Sequence, residues 1–403
     1  MDVYVARQPI FSRNMKIFGY ELLFRDGLSN VFPGIDSESA TSKVLTNSFL
    51  SIGIEEITAG APAFINFPEA SIVKKLPLIF SPKILVVEIL EDVDPNAELV
   101  VACRELSRRG YPIALDDFFF KPEYRVLIPH ANIIKLDFRA LARDVLRETV
   151  RKLKPFPLRL LAEKVETYDE FHAALDMGFS YFQGYFFSKP QVLNGKDISS
   201  PKMNLIRIMA EANKENLEFN KLELIITKDL GISYKLLRYV NSAFFRRRDK
   251  ISSIKQAIVL LGEKQIRQFV SLIAMSNLAQ DKPSELVLSS VIRAKFCELA
   301  GGLDGGKANA DELFTLGLFS FIDAVLDDSM EALMQKLPLS EEIKKALISG
   351  EGILGEYLKL VSGYESADWK TTTLTASRLG LKKEGLPKCF MEALNWANSF
   401  SDL

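Results

Sequence analysis

The chain has 403 residues, 48% of them hydrophobic and 26% charged, with a formal net charge of -1. That length exceeds what one core usually serves, so two domains are expected. The near-zero charge supplies no global attraction to nucleic acid or to an anionic membrane surface. Three cysteines, Cys103, Cys297 and Cys389, are widely spaced and in no metal-binding pattern, which points to a reduced, cytoplasmic setting. The amino-terminal segment Met1–Arg7 lacks the basic-then-apolar order of a signal peptide. No apolar run reaches the roughly 18 residues that a membrane span needs.

In chain order, Tyr4–Gln8 and Ile17–Phe24 read as paired strands around the turn Ser12–Met15. Ser37–Ser51 has helical apolar spacing, with Ala40, Val44, Leu45 and Phe49 on one side. Further strands follow at Ala63–Phe67, Ile84–Leu90, Tyr111–Phe118, Ile133–Asp137, Leu158–Val165 and Tyr181–Phe186. Helical segments separate them at Asn96–Arg109, Leu141–Leu153 and Tyr168–Met177. Near-continuous apolar strands alternating with helices predict a parallel sheet buried on both faces. About seven or eight such strands by residue 187 suffice to close a barrel.

Residues 191–202, rich in Asn, Gly, Asp and Ser, read as a linker. Beyond them the strand pattern fades. Met203–Lys214, Leu222–Lys228, Ser233–Phe244, Ile254–Leu261, Glu263–Leu278, Ser284–Ala300 and Asp311–Leu326 all suit helices. Residues 203–403 are therefore expected to form a second, all-α domain after a barrel spanning 1–190.

The strands share one further feature: each ends in a polar residue. If those ends converge on one mouth, they bring together Glu21, Glu88, Asp116, Asp117 and Glu163, with Asn66 and Gln183 as neutral oxygen donors. Unpaired, such a cluster repels itself. All-oxygen ligands without Cys or His favour Mg²⁺ or Mn²⁺, and adjacent aspartates let one carboxylate bridge two ions. Two ions about 3.5–4 Å apart can activate water and stabilise the leaving oxygen of a phosphodiester. Lys135 and Arg25 then serve as positive groups for a phosphate, and Glu163 as general base. Taken singly, any of these acids is equally a solvated loop residue or a helix cap. The ordered set is what carries the reading.

Those segments give the first half its resemblance to the EAL domain, the family of bacterial cyclic di-GMP phosphodiesterases. The name-giving motif stands as Glu21-Leu-Leu-Phe-Arg25, followed by Asn66, Val87-Glu88-Ile-Leu-Glu91, Asp116-Asp117-Phe118, Lys135-Leu-Asp137, Glu163-Lys-Val-Glu166 and Gln183-Gly-Tyr185. The resemblance implies a TIM-type (β/α)₈ barrel with a reversed first strand. It further implies metal ligands at Glu21, Asn66, Glu88, Asp116 and Asp117, catalytic roles for Glu163 and Lys135, and substrate contacts at Arg25, Asp137 and Gln183. The second half resembles the HDOD domain through Ser233–Ser242, Ile251–Gly262 and Gly317–Asp323. HDOD domains are helical relatives of the HD phosphohydrolases, which need histidine for metal. The only histidines here, His130 and His172, lie in the first half, so the second domain is expected to be a non-catalytic module for a protein partner.

Two departures from the EAL pattern shape the functional expectation. After the aspartate pair the family carries a flexible, glycine-rich loop, whereas this chain reads Phe118-Phe-Phe-Lys-Pro-Glu-Tyr124. Homodimerisation, common for this barrel, runs through that same loop in the family. Lys164 follows Glu163 where the family has glycine; strand alternation would turn it away from the mouth, and a break in alternation would set its ammonium in competition with metal for Glu163. The rebuilt loop sets the expectation, a cyclic di-GMP receptor or scaffold that has kept its ligands and relays to the helical domain; the complete ligand set supports the alternative, a working phosphodiesterase. A barrel that serves only protein partners is the third alternative.

Overall fold

The computed structural model describes residues 4–25, 53–91, 93–119, 122–190, parts of 202–229, and 230–241, 250–304, 308–337 and 339–400. The helix expected over Ser37–Ser51 and the linker at 191–201 lie outside these, as does most of Met203–Lys214 and part of Leu222–Lys228. Two compact units emerge: Met1–Lys189 with Ser362–Lys370, and Pro190–Val361 with Thr371–Leu403.

The first unit is a closed barrel in which eight strands neighbour one another in sequence order. They are β1 (Tyr4–Ser12), β2 (Ile17–Arg25), β3 (Ala63–Asn66), β4 (Leu85–Ile89), β5 (Ile113–Leu115), β6 (Ile133–Asp137), β7 (Arg159–Glu163) and β8 (Tyr181–Gln183). β1 runs antiparallel to both β2 and β8, and every other neighbouring pair is parallel. Residues of β3 to β6 are buried without exception, as a sheet covered on both faces requires. The intervening helices start and stop on local signals. Asn96 caps Ala97–Arg108 by accepting from the Leu99 amide, and Thr167 with Glu170 forms a capping box on Tyr168–Met177.

One layer of the barrel interior is apolar: Ile10, Phe64, Val86, Ala114, Ile133 and Leu161, with Phe18 and Tyr181 packed against it. β2 contributes Gly19 beside Phe64, where an added Cβ would lie 2.6 Å from the Pro62 carbonyl oxygen and 3.0 Å from the Phe64 ring. Burying each large side chain of that layer contributes on the order of 1.5–3 kcal/mol. The strand repeat of two then fixes what lies one layer nearer the mouth.

β8 is shorter than the expected Tyr181–Phe186. Gly184, at φ 142, lies against the backbone of Val165, whose carbonyl oxygen would sit 2.0 Å from any Cβ. The chain turns there into the 3₁₀ segment Tyr185–Ser188. Its Phe186 and Phe187 are buried, and that burial imitates a strand in the sequence.

The second unit is helical. Ile232, Leu236, Tyr239, Val240, Ile258, Ile266, Phe269 and Val270 belong to one buried cluster. The expected pair Ile254–Leu261 and Glu263–Leu278 is present as two helices that meet at Gly262, whose φ 73 and ψ 171 break the helical path. The single helix expected over Asp311–Leu326 is instead two, Ala310–Phe319 and Ile322–Leu326. The break follows Ser320, whose hydroxyl donates to the Gly317 carbonyl, with Phe321 at φ -122. Helices continue to Leu386–Asn398. Among the described residues no helix is long and apolar enough to cross a membrane.

Candidate functional site

Two residues along each strand from the apolar layer stands a polar one. Counting toward the mouth from Gly19, Phe64, Val86, Ala114, Ile133, Leu161 and Tyr181 gives Glu21, Asn66, Glu88, Asp116, Lys135, Glu163 and Gln183. β1 completes the ring with Gln8. Because this strand is antiparallel, its mouth-side residue precedes Ile10 in sequence.

Lys135 is the centre of the ring and is fully buried. Its Nζ lies 2.7 Å from Asp116 Oδ1, 2.9 Å from Glu88 Oε1, 3.0 Å from Glu163 Oε1 and 3.2 Å from Glu21 Oε2. Four strands thus deliver one carboxylate each to a single ammonium. The amides on either side hold Glu21: Asn66 Nδ2 donates to its Oε1 at 3.2 Å, and Gln183 Nε2 to its Oε2 at 2.6 Å. Gln183 Nε2 also donates to Gln8 Oε1 at 3.0 Å.

Burial opposes charge here, and proximity decides the outcome. Burial pulls the Lys135 ammonium down, but Asp116, Glu163, Glu21 and Glu88 together outweigh it and hold the group well above its usual value. Burial pushes the carboxyls of Glu88 and Glu163 well above the usual range, against the pull of Lys135 and with the repulsion of neighbouring acids. One ammonium does not neutralise four acids.

Asp117 and Asp137 sit in a second group at the rim. Lys164 adopts φ 54, so strand alternation ends at Glu163 and the lysine does not turn away. Its Nζ lies 2.5 Å from Asp137 Oδ2 and 3.8 Å from Asp117 Oδ1. Asp137 Oδ1 accepts from the amides of Arg139 and Ala140, each at 2.8 Å. Despite its burial, Asp137 is lowered by Lys164 and those amides. Asp117 is raised, first by burial. The Arg25 side chain lies outside the described residues, although its backbone closes β2 opposite Tyr4. His130 ends a short 3₁₀ turn and His172 is exposed on a helix beside Phe171; neither belongs to the ring.

Gln8 is the ring member that sequence reasoning missed. The loop after the aspartates is also held by a residue not foreseen. The Tyr124 hydroxyl donates to the backbone carbonyls of Glu91 and Val93, and its ring meets buried Phe118 edge-on. Phe120 and Lys121 lie outside the described residues, and Phe119 is exposed.

The donor chemistry fits a hard divalent cation. Buried oxygens without a hydrogen-bond partner include Asn66 Oδ1, both oxygens of Glu88, Asp116 Oδ1 and Glu163 Oε2. Of these, Glu88 Oε1 and Asp116 Oδ1 are ion-paired to the Lys135 ammonium, at 2.9 and 2.7 Å, which leaves Asn66 Oδ1, Glu88 Oε2 and Glu163 Oε2 without a partner. Among the described residues no three His, Cys, Asp or Glu side chains stand ready around a common metal position, because the acids are drawn onto the ammonium. All four nonetheless reach one nitrogen within 3.2 Å, so no two of these oxygens are farther apart than twice that distance. A cation entering the ring meets oxygens already gathered.

A (β/α)₈ barrel with a reversed first strand and a ring of acids about one buried lysine at its mouth is the class that fold and site define. Residues 46–190 match the family model of the EAL domain, and residues 198–348 that of the HDOD domain. The chain is 40% identical over 403 residues to cyclic di-GMP phosphodiesterase CdgJ of Vibrio cholerae, covering 99% of this chain and 93% of that one. It is 38% identical over 412 residues to the uncharacterized protein YuxH of Bacillus subtilis, covering 100% of both. Among solved structures, the manganese/cyclic di-GMP complex of Klebsiella pneumoniae BlrP1 is 20% identical, over 46% of this chain and 55% of that one, with a TM-score of 0.37. The chain belongs to the family of proteins that join an EAL domain to an HDOD domain.

Proposed function

We propose that the barrel binds cyclic di-GMP together with Mg²⁺ or Mn²⁺ and hydrolyses one of its phosphodiester bonds. The observation that carries this is the excess of acid around Lys135, four carboxylates to one ammonium with several buried oxygens unpartnered. The choice of substrate is supported by the 40% identity, over 99% of the chain, to a relative named as a cyclic di-GMP phosphodiesterase.

In this reading Glu21, Asn66, Glu88 and Asp116 hold the cation, with Asp117 beside them. A cation held there would supply Lewis-acid polarisation of a phosphate oxygen and of a water molecule. Glu163, a buried carboxyl whose proton affinity is raised, takes the proton of the attacking water as its oxygen bonds to phosphorus. One P–O ester bond breaks, the departing oxygen takes a proton from solvent to become a hydroxyl while Glu163 returns its own proton to solvent, and the linear dinucleotide results. Lys135 holds the acids together and offsets their charge. Gln183 and Gln8 orient Glu21, and Arg25 is the phosphate contact by its place at the end of β2. The helical region, which has no histidine, acts as a protein-binding module.

A second reading, a receptor or scaffold without turnover, draws on Lys164 and the rebuilt loop. Incubating the full-length protein with cyclic di-GMP and Mg²⁺ or Mn²⁺, while measuring binding and linear product, decides between them. Wild type is expected to bind and cut. Glu163→Gln is expected to bind while turnover falls by about 10²–10⁴-fold, the usual worth of a positioned base. Binding without product supports the receptor, and no binding removes both.

A further inference from the structure

The two rims of the acid pair are not alike. Asp116 faces the Lys135 ring, which has buried oxygens to spare: Asn66 is 2% exposed and Glu88 0%, and Asn66 Oδ1 and Glu88 Oε2 lack a partner. Asp117 faces the other way, toward an ammonium that the chain supplies itself. Lys164 reaches that place because its backbone is left-handed, at φ 54, a conformation that side chains other than Gly and Asn rarely adopt. Its Nζ contacts Asp137 Oδ2 at 2.5 Å and Asp117 Oδ1 at 3.8 Å. The remaining oxygen of Asp137 is taken by two backbone amides, so Asp137 has no free oxygen for another cation.

We propose that Lys164 is a tethered cation standing where a second metal ion would otherwise bridge the aspartate pair, so that the barrel takes one divalent ion and not two. This rests on the metal-dependent reading above. A divalent ion between Asp116 and Asp117 would lie against a fixed positive charge, whereas an ion on the Glu21, Asn66, Glu88 and Asp116 side meets acids that, among the described residues, outnumber the Lys135 ammonium. The Lys164 side chain is 56% exposed, which leaves its ammonium open to an incoming phosphate oxygen. In the hydrolysis it therefore offsets charge on the phosphate, the part a second metal ion would play.

Mn²⁺ titrated into the full-length protein and followed by electron paramagnetic resonance tests this without reference to turnover. Wild type is expected to bind one Mn²⁺ per chain, with no spin coupling between ions. Lys164→Gln, which removes the charge and keeps the Cβ, is expected to bind two. At the roughly 3.5–4 Å separation of a two-metal site the pair would be spin-coupled. Lys164→Gly, suited to the left-handed backbone, is expected to do the same. Two ions in wild type, or a second ion only in the glycine variant, or one ion in every form, would each overturn the role of the ammonium. No Mn²⁺ bound by any form overturns both this inference and the metal-dependent reading beneath it.

Discussion

Buried charge is handled in opposite ways in the two regions of this protein. In the helical region Glu298 is a single acid met by three donors: Gln268 Nε2 at 3.1 Å, Lys295 Nζ at 3.0 Å and Lys264 Nζ at 2.6 Å. In the barrel mouth a single ammonium is met by four acids. The first arrangement is closed, since every charge on the glutamate is answered within the fold. Among the described residues the second is short of positive charge, and that deficit is what the proposed cation would meet. Burial of acids alone does not mark a site; the balance around them does.

The largest expected effect comes from deepening the deficit. Lys135→Met should destabilise the metal-free protein by about 3–5 kcal/mol, the usual consequence of removing one partner from a buried charge set. Mn²⁺ should restore part of that loss by binding the released acids. The counterpart in the helical region is Glu298→Gln, which leaves neutral contacts to three donors. It should cost about 1–3 kcal/mol, and Mn²⁺ should not recover it. Urea unfolding of both variants with and without Mn²⁺ measures the contrast. Equal responses to Mn²⁺ would erase it.

The pH dependence sharpens the same comparison. Glu88 and Glu163 have folded-state values raised by burial above the ordinary 4.5. The protonated form is thus favoured in the fold. Below the ordinary carboxylate value both states carry the proton and nothing is lost. As pH rises from about 4.5 toward the raised values, the unfolded chain releases protons that the folded one retains, and metal-free stability falls. Glu88→Gln should remove part of that fall. Because cation binding must displace those protons, Mn²⁺ affinity should rise over the same pH range. Unfolding midpoints and Mn²⁺ titrations across pH 5 to 8 on the order of one unit apart check both signs; an affinity that falls with pH would contradict the deficit picture.

Much of this was legible in the sequence because parallel strands announce themselves twice. They are apolar throughout, as in Ile133–Asp137, and they end in a polar residue where the barrel opens. Gln8 escaped for a directional reason. β1 runs antiparallel to its neighbours, so its mouth-side residue comes before the apolar layer and not after it. Lys164 was left open because alternation is a property of strands, and the strand ends one residue earlier. Whether the chain turns there depends on backbone angles that a lone lysine does not encode, although glycine would have signalled them. Phe186 misled through burial without strand, and the break at Ser320 through apolar residues on both sides of a local turn. Tyr124 was read only as part of a loop, since its two carbonyl partners lie more than thirty positions earlier.

Tyr124 also offers the finest test of how the mouth is held. Its hydroxyl ties the segment after the aspartate pair to the backbone leaving β4, the strand that carries Glu88. Tyr124→Phe keeps the ring against Phe118 and removes the hydroxyl that makes those bonds. A stability loss of about 0.5–1.5 kcal/mol is expected, as for one ordinary internal hydrogen bond. Amide exchange should quicken over residues 122–127, while the Glu298 network keeps its protection. If the segment were held mainly by its aromatic packing, exchange there would match wild type. The rebuilt loop would then owe its place to the phenylalanines, and the hydroxyl would be incidental to the mouth.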